Sequence, residues 1–356
     1  METTHDYQGH ARGKAVKMRL RFAKLNPAGN TTILVLDPVP ESMHAEVASN
    51  LMNPAVLGGE QVGFVTLMAG GPIAASMRMM GGEFCGNAAR SLGAYLASIR
   101  HLALGKSGEK VTLGMECPHV RRGVPKDNDN LLEGLIQIHG VEEPVLVQAK
   151  LDDEEMPFWA SCAFPGVPEV DFYFVETLSW TSSGSGRNIR VLPCLNPRDL
   201  LESWLGEIAL KILPPVVAVV RLEGITHIVV DARDYRMEEN VLIGLGEAFG
   251  LADEACIGMI FRRGADEIVP LVHVAATDTF VWESSCASGS VAVALAYATA
   301  LGKPGCYDFK QPGGTLSVTV RPPDAKGEPC APYATVSGDV RIVAEGTVFV
   351  DTVSIH

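Results

Sequence analysis

The sequence predicts a protein of mixed helix and strand, built from two homologous halves. Three observations predict it. The chain has 356 residues, which at roughly 150 residues per domain is about two domains. A β-rich run that opens with Gly and closes with Asp occurs twice, at Gly29 to Asp37 (GNTTILVLD) and at Gly224 to Asp231 (GITHIVVD). A cysteine leading into an apolar helix also occurs twice, at Cys85 and at Cys286.

The elements follow the same order in both halves. After each β-rich run comes a helical pattern, about Glu41 to Met52 and about Met237 to Phe249. In the second, Leu242, Leu245 and Phe249 recur at helical spacing. Each helix leads to an apolar run, Val62 to Leu67 and Cys256 to Phe261, and then to a further strand, Ala75 to Met80 and Pro270 to Ala275. Both halves then reach the cysteine turn, GGEFCGNAARSLGAYLA in the first and WESSCASGSVAVALAYA in the second. Ala88, Leu92, Leu96 and Ile99 share one helix face, as do Val291, Leu295 and Ala298. The strands repeat 195 residues apart (224 against 29) and the cysteines 201 apart (286 against 85). Five shared elements at a nearly constant offset mark a repeat.

Strands around Lys110 to Met115, Gly134 to His139 and Val170 to Val175 are expected to lengthen the first half. Val120 to Asn130, Thr181 to Arg187 and Arg321 to Pro332 are polar and rich in Gly, Pro or Ser, and read as loops. The domain boundary is expected near residue 205. The first half then covers 17–205 and the second 206–345.

Composition narrows the function. Hydrophobic residues make up 47% and charged residues 20%, with net charge -13. That is a globular composition, and its negative charge suits neither nucleic acid nor an anionic membrane. No run nears the roughly 18 apolar residues that span a bilayer. The longest, Ile212 to Val220, is broken by Pro214 and Pro215. The first residues carry no apolar leader core, so a cytoplasmic protein is expected. The eight cysteines include no C-x-x-C pair, and a disulfide framework is not expected. Cys117 and His119 are the closest Cys/His pair, too little for a metal site. Phosphate-loop, zinc-helix and calcium-loop patterns are absent. No metal and no cofactor are expected.

The two cysteines carry the chemistry. A helix start presents unpaired N–H groups and about half a positive charge. Such a place lowers a thiol below its free pKa of about 8.5 and binds a carboxylate. The amides in question are those of Gly86, Asn87 and Ala88 in the first half, and of Ala287, Ser288 and Gly289 in the second. If the halves face each other, two thiols and two helix starts meet in one cleft. One thiolate can then take a weakly acidic proton from a carbon beside a carboxylate while the other thiol returns one to the opposite face. The stereocentre inverts without pyridoxal phosphate or metal. Two facing thiols can also oxidise to a disulfide. The other six cysteines read as structural.

At these residues the sequence resembles the diaminopimelate epimerase superfamily. The matching pieces are Phe22-Ala-Lys24 with Gly29-Asn30, then Cys85-Gly86-Asn87-Ala88-Ala89-Arg90, then Cys286-Ala287-Ser288-Gly289. The resemblance implies an α+β fold of two pseudo-symmetric domains, each a β-sheet wrapped around a central α-helix. It implies a C-terminal strand, about 346–356, that returns to the first domain. It also implies that Cys85 and Cys286 are the acid/base pair and that Asn30 lies in the substrate cleft.

The departures bear on substrate. Ala276 to Glu283 contains no arginine, so a second substrate carboxylate lacks its fork-shaped partner. Diaminopimelate is thereby disfavoured, though diaminopimelate epimerase stays an alternative. So does a double-bond isomerase of an unsaturated acid on the same fold. The pattern is similar to the amino-acid racemase branch in which histidine racemases occur, and histidine is the expected substrate. Glu83 and Glu283 either bind a cationic or imidazole group or pair with the helix dipoles. His227 is either a core residue or a cleft residue. Asp278 and Trp282 are candidates for the cleft wall. The expected partner is a small-molecule amino acid, with no nucleic acid and no membrane. A homodimer is left open.

Overall fold

The computed structural model describes residues 15–104, 131–180, 187–195, 215–275, 278–320 and 333–353. The first half runs β1 (Ala15–Asn26), β2 (Thr32–Val35), α1 (His44–Met52), β3 (Gln61–Leu67), β4 (Ile73–Met79), α2 (Gly86–Ser98), β5 (Ala103–Leu104), β6 (Leu131–Ile138), β7 (Val145–Leu151) and β8 (Pro157–Ala163). After β9 (Glu169–Trp180) and β10 (Arg187–Pro193) the order recurs. The second half is β11 (Val216–Leu222), β12 (Ile225–Asp231), α3 (Glu239–Ala248), β13 (Cys256–Arg262), β14 (Ile268–Val274), β15 (Thr279–Trp282), α4 (Ala287–Leu301), β16 (Gly305–Gln311), β17 (Gly314–Val320) and β18 (Ala334–Asp339). The strand β19 (Arg341–Val353) follows.

The repeat is physical. β2 pairs parallel with β3 across the α1 crossover, and β12 pairs parallel with β13 across α3. β4 and β14 then pair antiparallel with β3 and β13. Thr32 lies opposite Gln61 in the first ladder, and His227 opposite Gly258 in the second. β8 pairs antiparallel with β18, which joins the halves into one 12-stranded sheet. A 7-stranded sheet, in the order β10-β9-β11-β12-β13-β14-β15, lies beside it.

The helices divide by pattern. α1 and α3 bury one stripe each, Val47, Ala48 and Leu51 against Val241, Leu242 and Leu245. α4 is small and mostly apolar, whereas α2 also carries Asn87, Arg90 and Ser91, yet all of Gly86 to Ala97 is buried. A helix apolar all round belongs in a core. Each is wrapped by its half's strands, so the expected α+β architecture holds. A Cβ on Gly93 would lie 2.9 Å from that of Val147, so only glycine lets β7 come this close to α2.

The returning C-terminal strand is present: β19 pairs antiparallel with β1, with Leu20 opposite Val348. The expected boundary near 205 lies outside the described residues. β9 pairs with β11 and β10 pairs with β9, so 169–193 extend the second sheet and not the first. The chain changes sheets at 164–168, and Val170 to Val175 belong to the second sheet. β9 beside β11 mirrors β19 beside β1, an exchange of one strand that no local pattern announces. The expected strand at Lys110 to Met115, the Cys117–His119 pair and the loops at 120–130 and 321–332 lie outside the described residues. Cys306 is disulfide-bonded, a departure from the expectation for this chain, whereas Cys85, Cys162, Cys194, Cys256 and Cys286 are free thiols.

Candidate active site

Each candidate cysteine is the residue that starts a central helix. Cys85 caps α2 with extended backbone (φ -129°, ψ 113°), and Cys286 caps α4 almost identically (φ -125°, ψ 111°). The extended conformation fits a capping position. The two helix starts abut. A Cβ on Gly86 would lie 2.9 Å from Ala287 Cβ and 2.9 Å from the Phe164 ring. Asn87 crosses the junction and donates to the Ser285 carbonyl at 3.0 Å, and Asn30 Nδ2 donates to the same carbonyl at 2.9 Å. Two amides on one carbonyl fix the start of α4 to the first half. Behind them the buried Arg90 holds Asn87 Oδ1 at 3.2 Å and the Ala160 and Asp339 carbonyls, so the Asn87 amide has one orientation.

The two thiols have different partners. The Cys85 thiol donates to Gln61 Oε1 at 2.8 Å, and Gln61 Nε2 donates to Thr32 Oγ1 at 2.7 Å. Cys286 Sγ accepts from Gly289 N at 3.3 Å and lies 3.4 Å from Ser288 Oγ, which is 2.9 Å from His227 Nε2. Cys286 N donates to Gln311 Oε1 at 2.7 Å. His227 and Thr32 hold matching ladder positions, as do Gly258 and Gln61. The second half thus replaces a Thr–Gln pair with a histidine over a glycine. A Cβ on Gly258 would lie 2.0 Å from His227 Nδ1, so the ring fills the space a side chain there would need. Burial holds this histidine neutral, its pKa pushed down to about 3.

The expected lowering of the thiol pKa is not found. Burial pushes Cys85 up to about 12, with Glu283 and Glu83 adding to the rise and the Ala88 and Asn87 amides opposing it. Burial also pushes Cys286 well above its ordinary value, reinforced by the charge of Glu283 and a hydrogen bond to it. Two enclosed sulfurs lose more from desolvation than a helix start returns. Both sulfurs are thiols at neutral pH. Glu283 is itself pushed up to about 7 by burial, with Glu60 adding and Asn30 opposing. Glu83 is raised chiefly by burial.

Asn30, Gly86, Asn87, Ala287, Ser288, Gly289, Glu283 and His227 therefore gather around Cys85 and Cys286. The Glu83 carboxylate instead folds back over Gly81 and accepts from backbone there. Asp278 sits on an exposed turn and accepts from His273 at 3.1 Å, and Trp282 stacks on Phe261 with 41% of its surface exposed. Sequence reasoning missed Gln61, Gln311, Arg90 and Cys256. Cys256 starts β13, and burial, with the charges of Glu283 and Glu83 adding, pushes its thiol up to about 12. Aligning the two parallel ladders would have paired Gln61 with Gly258 and shown that something must fill the gap. No group of three or more His, Cys, Asp or Glu residues among the described residues can hold a metal ion, and no described helix is long and apolar enough to cross a membrane.

The family described as "Histidine racemase CntK N-terminal domain" matches residues 19–120 and 210–349. A histidine racemase of Fusobacterium nucleatum subsp. nucleatum (strain ATCC 23726) is 24% identical over 335 residues, 93% of this chain and 97% of that protein. A histidine racemase of Staphylococcus aureus (strain Mu50) is 25% identical over 344 residues, 93% of this chain and 98% of its own length. Among solved structures, a hydroxyproline epimerase from Agrobacterium vitis superposes with a TM-score of 0.56 at 12% identity, covering 94% of this chain and 93% of that one. A probable proline racemase from Agrobacterium radiobacter gives 0.53 at 11% identity, with 92% of each chain covered. At such identities the structural matches bear on the fold alone.

Proposed function

The chain belongs to the histidine racemase family, and from that premise we propose that it interconverts L- and D-histidine with Cys85 and Cys286 as its two bases and no pyridoxal phosphate. The observation that carries the reading is the abutting pair of cysteine-capped helices. Gly86 and Ala287, each the residue after one of the two cysteines, are in contact.

The α-carboxylate is held by the amides that a helix start leaves without a helical partner, those of Gly86 and Asn87 on one side and Ala287 and Ser288 on the other. These dipoles also stabilise the second negative charge that grows on the carboxylate as the α-proton leaves. Cys286 gives up its proton to the neighbouring Glu283 carboxylate, itself raised to about 7, an uphill transfer that the donors beside the Cys286 sulfur must offset by stabilising the thiolate. The resulting thiolate removes the α-proton from one face. The Cys85 thiol gives its proton to the other face, and the α-carbon inverts. Cys286 ends as the thiol and Cys85 as the thiolate, which is the state required for the reverse reaction. Gly289 N and Ser288 Oγ are the donors beside the Cys286 sulfur.

Chiral chromatography of L-histidine incubated with the reduced protein tests the substrate. D-histidine accumulating to an equal mixture with no cofactor added is the expected result. Turnover of proline or diaminopimelate with histidine untouched would overturn it.

A further inference from the structure

Arg90 and Arg262 are the two largest side chains buried completely among the described residues, and they are held differently. Arg262 donates to the Asp231 carboxylate at 3.0 Å. Arg90 meets a neutral oxygen at every guanidinium nitrogen: Nε at the Ala160 carbonyl (3.2 Å), Nη1 at Asn87 Oδ1 (3.2 Å) and Nη2 at the Asp339 carbonyl (3.0 Å). Burying a cation among neutral partners is costly. Packing does not require it. Arg90 stands five residues after Cys85 (90 against 85), and the matching position after Cys286 (291 against 286) is Val291, which is equally buried. The guanidinium is nonetheless charged at neutral pH. Burial pulls it down only to about 10, and Cys162, Asp339 and Cys85 oppose the drop.

The hydrogen bonds lead that charge toward both cysteines. Asn87, whose oxygen accepts from Arg90 Nη1, donates from Nδ2 to the Ser285 carbonyl at 3.0 Å. The same peptide ends in Cys286 N, which donates to Gln311 Oε1 at 2.7 Å. Every link donates away from the cation, so each is polarised by the one before it. Resting on the racemase reading, we infer that Arg90 is a positioning residue, the fixed counter-cation of the site, which favours the thiolate of Cys85 through its charge and acts on Cys286 through Asn87 and the Ser285–Cys286 peptide. With neutral oxygens on all its nitrogens, its charge is not cancelled where it stands. The negative charge passes from Cys286 to Cys85 during inversion, and a cation behind the junction favours it at both ends.

Two substitutions separate charge from packing. Arg90→Met removes the cation and leaves an apolar side chain, as Val291 does, while Arg90→Lys keeps a cation near pH 7. The readout is the rate at which iodoacetamide alkylates Cys85 in the substrate-free protein, which follows the thiolate fraction, beside kcat and KM for histidine. Arg90→Met should react at least about tenfold more slowly than the wild type from pH 7 to 10, one pKa unit or more, and lose kcat by at least as much. Arg90→Lys should stay within about threefold at pH 7, half a pKa unit. A buried lysine without a carboxylate gives up its proton far sooner than an arginine, so Arg90→Lys should fall at least about tenfold behind the wild type by pH 10. That comparison carries the test if Arg90→Met does not fold. Wild-type alkylation in Arg90→Met, equal slowing of both variants at pH 7, or an Arg90→Lys rate that tracks the wild type to pH 10 overturns the inference while leaving the racemase reading intact. Slowed alkylation in Arg90→Met with rescue by Arg90→Lys, in a protein that racemises nothing, would uphold the counter-cation and overturn the racemase reading.

Discussion

Gly86 and Ala287, the first residues of the two central helices, are in contact: a Cβ on Gly86 would lie 2.9 Å from that of Ala287. Glycine is what allows it, since any side chain at 86 also meets the Phe164 ring. Gly86→Val should wedge the helix starts apart. Overpacking of this kind costs about 1–3 kcal/mol. Thermal melts should show a folded, mildly destabilised protein that has lost most of its activity, because the two thiols no longer share one substrate. Full activity in Gly86→Val would mean the contact does not set the spacing.

Each cysteine should be indispensable. A general acid or base contributes about 10²–10⁴-fold, so Cys85→Ser and Cys286→Ser should each lose at least that much racemisation with an unchanged melting temperature. Cys162→Ser tests a thiol on the far side of Gly86, where its Sγ lies 3.4 Å from the Gly86 carbonyl, and should stay active.

The pH dependence follows from raised values. Cys85 sits at about 12 and stays neutral through the neutral range. Its alkylation by iodoacetamide in the substrate-free protein should therefore climb about tenfold per pH unit from pH 7 to 10, without the plateau of a free thiol near 8.5. Glu283, at about 7, must be ionised to accept a proton. Activity should fall as the pH drops below that value and rise above it. Glu283→Gln should remove that limb, whereas a limb set by the substrate's own imidazole would remain.

Gly258 tests the histidine. Gly258→Ala places a Cβ 2.0 Å from His227 Nδ1, and the ring must leave its 2.9 Å contact with Ser288 Oγ. Activity should drop while the fold survives. The matching change in the first half, Gln61→Leu, removes the acceptor of the Cys85 thiol and should act on that cysteine alone, read as a shift in the alkylation profile of Cys85 and not of Cys286.

Stability has its own test away from the cleft. The buried Arg262 donates to Asp231 Oδ2 at 3.0 Å and to the Tyr297 hydroxyl at 2.9 Å, tying β12, β13 and α4 together. Asp231→Ala leaves that guanidinium buried without its carboxylate, a loss of about 3–5 kcal/mol. Burial alone would raise the Asp231 carboxyl, but Arg233 and Arg262 hold it below its ordinary value. A lowered acid contributes stability at neutral pH that disappears as the pH falls through the folded value. Urea melts at pH 7 and pH 3 should show the difference between wild type and Asp231→Asn shrink at the lower pH.

Much of this was legible because the repeat is written in local patterns. GNTTILVLD and GITHIVVD became β2 and β12, and the cysteine turns became helix caps, since extended capping residues before an apolar helix depend on near neighbours. What depends on distant neighbours was not legible. The swap of β9 into the second sheet is a pairing with β11, more than thirty residues further along the chain. The thiol pKa values went the opposite way because enclosure is a property of both halves together, whereas the helix dipole belongs to one. Gln61 and Gln311 are ordinary polar residues at strand ends, and only the fold brings them to Cys85 and Cys286.

The central claim is that the two sulfurs address opposite faces of one carbon. Its most direct test follows the α-proton of L- and D-histidine separately by NMR in D₂O with Cys85→Ala and Cys286→Ala. With one base left, exchange can occur only on the face that base reaches, and it returns deuterium to the same face. The account predicts exchange of one enantiomer in Cys85→Ala and of the other in Cys286→Ala, with inversion in neither. Exchange of the same enantiomer in both variants, or inversion by either, would contradict it.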